Sequence, residues 1–132
     1  MKNVEWLGSL KEGFVADNIV ATKSKAFAIR IIKLYKYLTG ESREYVLSKQ
    51  LLRSGTSIGA NVHEAIMSYS KKEFAAKMSI ALKEASETAY WLELLVETDY
   101  ITRQQFDSIY ADNEELIKLL VSIVKSSKPP NH

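Results

Sequence analysis

Gly55-Thr56-Ser57-Ile58-Gly59 matches the G-x-S-x-G pattern of serine hydrolases, with Ser57 as the candidate nucleophile. That chemistry needs a strand running into a sharp turn, a helix leading out of it, and a histidine to take the hydroxyl proton. The strand is missing: residues 46–53 hold no β-branched run, and positions 47, 51, 52, 55 and 58 recur at helical spacing. The histidine is missing too, since His63 lies six residues on in the same predicted helix and His132 is the last residue. The stretch therefore reads as helix, in which Gly55 and Gly59 leave a bare patch where a second helix can come close.

His63-Glu64 begins like the zinc motif H-E-x-x-H, but the second imidazole position is Met67. A di-iron bundle needs Glu-x-x-His on two helices. The chain offers Glu64, Glu84, Glu87, Asp112 and Glu115 with no histidine so spaced, and no cysteine for a thiolate site. No metal or cofactor is expected. Glu84 and Glu87, three residues apart, would suit general acid–base work if buried together. The other reading pairs them with Arg53 or Lys49 across a contact between helices two and three. Ser57, Asn61 and Glu64, spaced by four and three, form a polar seam that lies either between subunits or inside one bundle. Buried polar groups need partners whatever the function, so structural roles are preferred for all of these, and the chain is read as non-enzymatic. The tyrosines and Trp91 have faces on which bases could stack, but at helical spacing they read first as core and interface residues.

The elements that carry these residues are all helical. A chain of 132 residues supports one domain, and its two prolines stand at 129 and 130, so nothing sharp interrupts the chain before them. Helix one is expected from about Asn18 to Leu38, with Asp17 as its N-cap, Gly40 past its end, and a seam of Phe27, Ile31, Leu34 and Leu38. Helix two should run from near Ser42 to about Met67. Capping boxes, Ser70 to Glu73 and Thr102 to Gln105, open helices three and four. Short links favour neighbours of opposite direction, giving an all-α, antiparallel up-down-up-down four-helix bundle over residues 18–128. Residues 1–17 read as a partly ordered extension in which Trp6, Leu7, Leu10 and Phe14 form an amphipathic turn packing on the bundle. Residues 129–132 read as a frayed tail. The start of the chain lacks a signal pattern and its apolar runs are short, so a cytoplasmic protein without a membrane partner is expected.

The formal net charge of +2 hides a segregation. Residues 18–83 hold twelve Lys/Arg against four Asp/Glu, a balance of +8, while residues 84–115 hold one base against nine acids, a balance of −8. An up-and-down course gathers Lys23 and Lys25 of helix one, Lys71, Lys72 and Lys77 of helix three, and Lys125 and Lys128 of helix four at one end. Glu93, Glu97, Asp99 and Asp107 gather at the other. Two readings follow: a solvated bipolar surface, or a basic rim that touches RNA phosphates.

The strings Leu51-Leu52-Arg53-Ser54-Gly55-Thr56-Ser57-Ile58-Gly59-Ala60-Asn61-Val62-His63-Glu64 and Lys83-Glu84-Ala85-Ser86-Glu87-Thr88-Ala89-Tyr90-Trp91-Leu92 resemble the four-helix-bundle proteins encoded in intervening sequences of bacterial 23S ribosomal RNA genes. The resemblance spans about Asn18 to Lys128. It implies a small bundle assembled as a ring, a homopentamer, and kinship with the accessory variability protein of diversity-generating retroelements, which engages nucleic acid and a reverse transcriptase. It implies no catalytic residue. The expected partners are further copies of the chain, with RNA or a nucleic-acid-processing protein as the candidate second partner.

Overall fold

Stripes of apolar residues at three- and four-residue spacing give four helices one buried face each. The computed structural model describes residues 4–127, with side chains at position 13 and from 15 onward. Helix α1 covers Val4–Gly40, α2 Leu47–Ile66, α3 Lys71–Glu97 and α4 Arg103–Ser127, and the described residues contain no strand. Each helix packs on the next, and α4 returns to α1. Phe27 and Ile31 of α1, Leu51 and Ile58 of α2, Met78 and Leu92 of α3, and Leu116 and Leu120 of α4 meet in one core.

Two helix starts differ from expectation. Asp17 lies well inside α1, because the segment from Val4 to Asn18 contains no proline and its two glycines, Gly8 and Gly13, cost a helix only about 1 kcal/mol each. Side chains of Trp6, Leu7, Leu10 and Phe14, where packing on the bundle was expected, lie outside the described residues, as do Lys128 and positions 129–132. Helix α2 begins at Leu47 rather than near Ser42. Arg43 turns the chain with φ 51°, in the left-handed region that closes a helix. The Glu44 carboxylate then accepts from the amides of Val46 (3.2 Å), Leu47 (3.1 Å) and Ser48 (2.7 Å). Those amides are the orphan donors of the first turn, so Glu44 does the work of a cap. Burial alone would push its carboxyl up; the three amides and the Ser48 hydroxyl outweigh that and hold it below its ordinary value.

The other two starts follow the sequence. The Glu73 amide donates to Ser70 Oγ at 3.0 Å. At α4 the Gln105 amide donates to Thr102 Oγ1 (3.1 Å) and the Thr102 amide to Gln105 Oε1 (2.9 Å), a complete box.

Helices α1 and α2 approach closely at two glycines. A Cβ added at Gly55 would stand 2.7 Å from Cγ1 of Ile31, and one at Gly59 would stand 3.3 Å from the Ser24 carbonyl oxygen. Polar groups also enter the core. Buried Thr88 donates to buried Ser54 Oγ at 3.0 Å, tying α3 to α2. Asn113, wholly buried on α4, donates through Nδ2 to the Ala85 carbonyl at 2.9 Å, while its Oδ1 has no partner among the described residues.

Candidate nucleic-acid interface

Ser57 sits mid-helix on α2 with its hydroxyl donated to the Arg53 carbonyl four residues back, at 2.6 Å. This is back-bonding within a helix, not a nucleophile elbow. Asn61 does the same, donating to the Ser57 carbonyl at 2.9 Å. The expected polar seam thus divides into two kinds of contact. Ser57 and Asn61 bond their own helix, while Arg53 and Glu64 reach α3. Arg53 spans from Gln50 on its own helix to Glu84 (3.4 Å) and Glu87 on α3. Glu87 also accepts from the Trp91 indole at 3.0 Å, so both glutamates belong to a register-fixing cluster beside a half-buried tryptophan. Lys49 takes no part in it. No group of three or more His, Asp or Glu among the described residues is placed to hold a metal ion.

The basic residues fare unequally. Lys23 pairs with Glu115 at 2.6 Å, and that hydrogen bond raises the Lys23 ammonium above its ordinary value. Lys77 pairs with Glu64 at 3.6 Å. Both are thereby neutralised locally. Lys25, Lys71, Lys72 and Lys125 are exposed and have no ion pair among the described residues.

Three helix ends converge beside α1 to make an open cleft of about 1580 Å³. One wall is α1 at Asp17, Asn18 and Ala21; Ala65, Ile66, Met67, Phe74 and Ala75 line the cleft from α2 and α3; Ser126 and Ser127 close the α4 side. Lys71, Lys72 and His63 stand around it, and Lys125 directly precedes the α4 wall. Burial raises the Asp17 carboxyl above its ordinary value. The sequence reading missed this cleft. Its only local signal was Ile66, Met67 and Tyr69, large side chains at the end of α2 and in the link after it.

At the other extremity Glu93 accepts from the Tyr110 hydroxyl at 2.7 Å, which pushes that phenol up to about 12, and Glu97, Asp99 and Asp107 are exposed. Two further contacts escaped the sequence: Arg30 of α1 reaches Asp112 (2.6 Å) and Ser108 Oγ (2.9 Å) of α4, and the Glu44 cap was unseen.

These features define a four-helix bundle with unpaired cations around an open cleft. The chain belongs to the 23S rRNA-intervening sequence protein family, whose model matches residues 16–122. The first turns of α1 precede that match. The chain is similar to a protein of unknown function from the S23 ribosomal protein family of Bacteroides thetaiotaomicron VPI-5482, known from its crystal structure. The two share 58% identity and a TM-score of 0.82, over 83% of this chain and 98% of that one. No curated protein matches the chain. No helix among the described residues is long and apolar enough to cross a membrane.

Proposed function

We propose that this protein is a non-enzymatic cytoplasmic module that acts by association: an antiparallel up-down-up-down bundle, joined to further copies in a homopentameric ring, that presents a basic rim to RNA. The observation that carries the reading is the set of exposed, unpaired lysines, Lys71, Lys72 and Lys125, around one end, with Glu73 the acid beside them, while Glu97, Asp99 and Asp107 are exposed at the other. The antiparallel course is supported by cross-contacts in which Ser24 meets Gly59 while Ile31, further along α1, meets Gly55, earlier in α2. Ring assembly is supported by the family resemblance and by exposed Val15, Ile19, Ala26 and Ile29, which recur on one outward face of α1. A ring multiplies each weak phosphate contact, so a nearly neutral chain gains a multivalent cationic surface.

The charge segregation favours a second reading, in which basic and acidic surfaces meet between subunits and no RNA is bound. Sedimentation velocity with and without structured RNA, over a range of salt, separates the two. The RNA reading expects co-sedimentation at low salt that weakens steeply as salt rises, and at least tenfold weaker binding after Lys71→Glu with Lys72→Glu. Unchanged co-sedimentation by that double variant would remove the rim. Dissociation of the ring by salt, with no RNA bound at any salt, would support the second reading.

A further inference from the structure

We propose that the cleft between α1 and the ends of α2, α3 and α4 takes unpaired nucleotides, so that the rim grips single-stranded RNA and not merely phosphate. The inference rests on the RNA reading above and names which form of RNA it concerns.

Three observations lead there. The first is what remains free in the cleft once its own bonds are made. Ser68 donates to the Ala65 carbonyl (2.6 Å), Ser70 accepts from the Glu73 amide (3.0 Å), and Ser126 and Ser127 donate to the Ile123 carbonyl (3.1 and 2.6 Å). With each of these hydroxyls engaged inside the chain, the groups that most strongly mark the cleft are the cations Lys71 and Lys72 and the rings of His63 and Tyr69, with Asp17 and Asn18 on the α1 side. That combination is how single strands are held without sequence readout, with cations tracking phosphates and π-faces taking bases.

The second observation is the exposure of large side chains at the mouth. Tyr69 is fully exposed and Met67 is 67% exposed, next to Ile66 and half-buried Phe74. Water covers this surface until a flat, weakly hydrated body replaces it. Bases are such bodies when unpaired; in a duplex they are stacked on one another and present only phosphate and groove edges.

The third is the cleft's size and polarity. At about 1580 Å³ it exceeds the roughly 300–1,000 Å³ of a small-molecule pocket, which suits a short run of chain. Its two walls differ in sign. Lys71 and Lys72 stand on the α3 side, and Asp17 with Asn18 on the α1 side. Phosphates are drawn to the first and repelled from the second. A strand therefore lies with its backbone toward α3 and its base edges toward α1, where the Asp17 carboxylate can accept from base N–H groups.

The test is fluorescence anisotropy with an end-labelled eight-nucleotide RNA of mixed sequence, measured single-stranded and as a blunt duplex at one salt concentration. Wild type should bind the single strand at least tenfold more tightly than the duplex. Tyr69→Ala should weaken single-strand binding by about tenfold, the scale of one lost stacking contact, the neutral Met67→Ala should weaken it less, and both should leave duplex binding unchanged. Equal binding of both RNAs, or indifference to both substitutions, overturns the cleft proposal while leaving the rim intact; loss of all binding in the Lys71/Lys72 double variant alone speaks to the rim. Two further outcomes also overturn it. If a chain ending at Ser127 binds single strands more tightly and Tyr69→Ala has no effect, the cleft's occupant is the chain's own tail. If either substitution changes the sedimentation coefficient without RNA, the occupant is a second copy.

Discussion

Helix α2 is buried along its middle and bare at its end. From Leu51 through Ala65 its inner face is sealed by α1 and α3, with Ser54, Gly55, Ile58 and Val62 all out of water. Directly after it Ile66 and Met67 are exposed, and Tyr69 stands beyond them in solvent. The sealed stretch is close-packed, where a single added methyl group has to displace something. The bare end has room and free surface. A fold held by the one can leave the other open for binding, because the large side chains at the end of the helix lie outside the buried core.

The largest effect should come from filling the sealed stretch. Gly55→Ala places a Cβ 2.7 Å from Ile31, which is itself wholly buried with no space to retreat. Overpacking costs about 1–3 kcal/mol, and the better helix propensity of alanine returns about 1 kcal/mol, so a net loss of up to about 2 kcal/mol is expected in urea unfolding. Gly59→Ala meets only the Ser24 carbonyl at 3.3 Å and should fall within about 0.5 kcal/mol of wild type, propensity and crowding cancelling. Equal effects at the two glycines would mean that α1 and α2 shift apart as a unit, and the contrast between sealed and open packing would lose its footing.

A middle-sized effect is expected where α2 starts. Glu44 has its carboxyl held below the ordinary value of 4.5, so its contribution is present at neutral pH and is lost as pH falls through that range toward the lower folded value. Glu44→Gln should cost about 1 kcal/mol at pH 7, the worth of a cap with its charge at a helix N-terminus. As pH falls below 4.5 the wild type loses the same contribution, and the two unfolding curves should converge. A gap that stays constant with pH would assign the effect to packing of the side chain instead.

How much of this could be read beforehand depended on how local each cause was. The seam of α1 was legible, with Phe27, Ile31 and Leu38 all buried, because periodicity of one helix decides it. The two capping boxes were legible for the same reason: each is a four-residue matter. Glu44 was not, since glutamate reads as a helix former and its capping depends on a turn at Arg43 that only the packed chain imposes. The α1 start misled because Asp17 looks like a cap, yet nothing upstream breaks the helix. Among the lysines the sequence grouped by helix end, it could not see that Lys23 and Lys77 are taken up by Glu115 and Glu64, which is a question of register between helices. The cleft was least legible of all, being made of four separate segments that meet only in the fold.

The smallest effect should be at the bare end itself, and it decides whether the contrast is real. Tyr69→Ala removes a fully exposed ring and Met67→Ala alters a mostly exposed thioether chain. If neither is covered in the folded protein, the folded and unfolded chains lose the same hydration, and stability should stay within about 0.5 kcal/mol of wild type, as for ordinary surface substitutions. Urea midpoints at two protein concentrations check this, because a covering second copy would make the effect depend on concentration. A concentration-independent loss well above about 1 kcal/mol would instead place both side chains under cover within one subunit. The end of α2 would then be as structural as its middle.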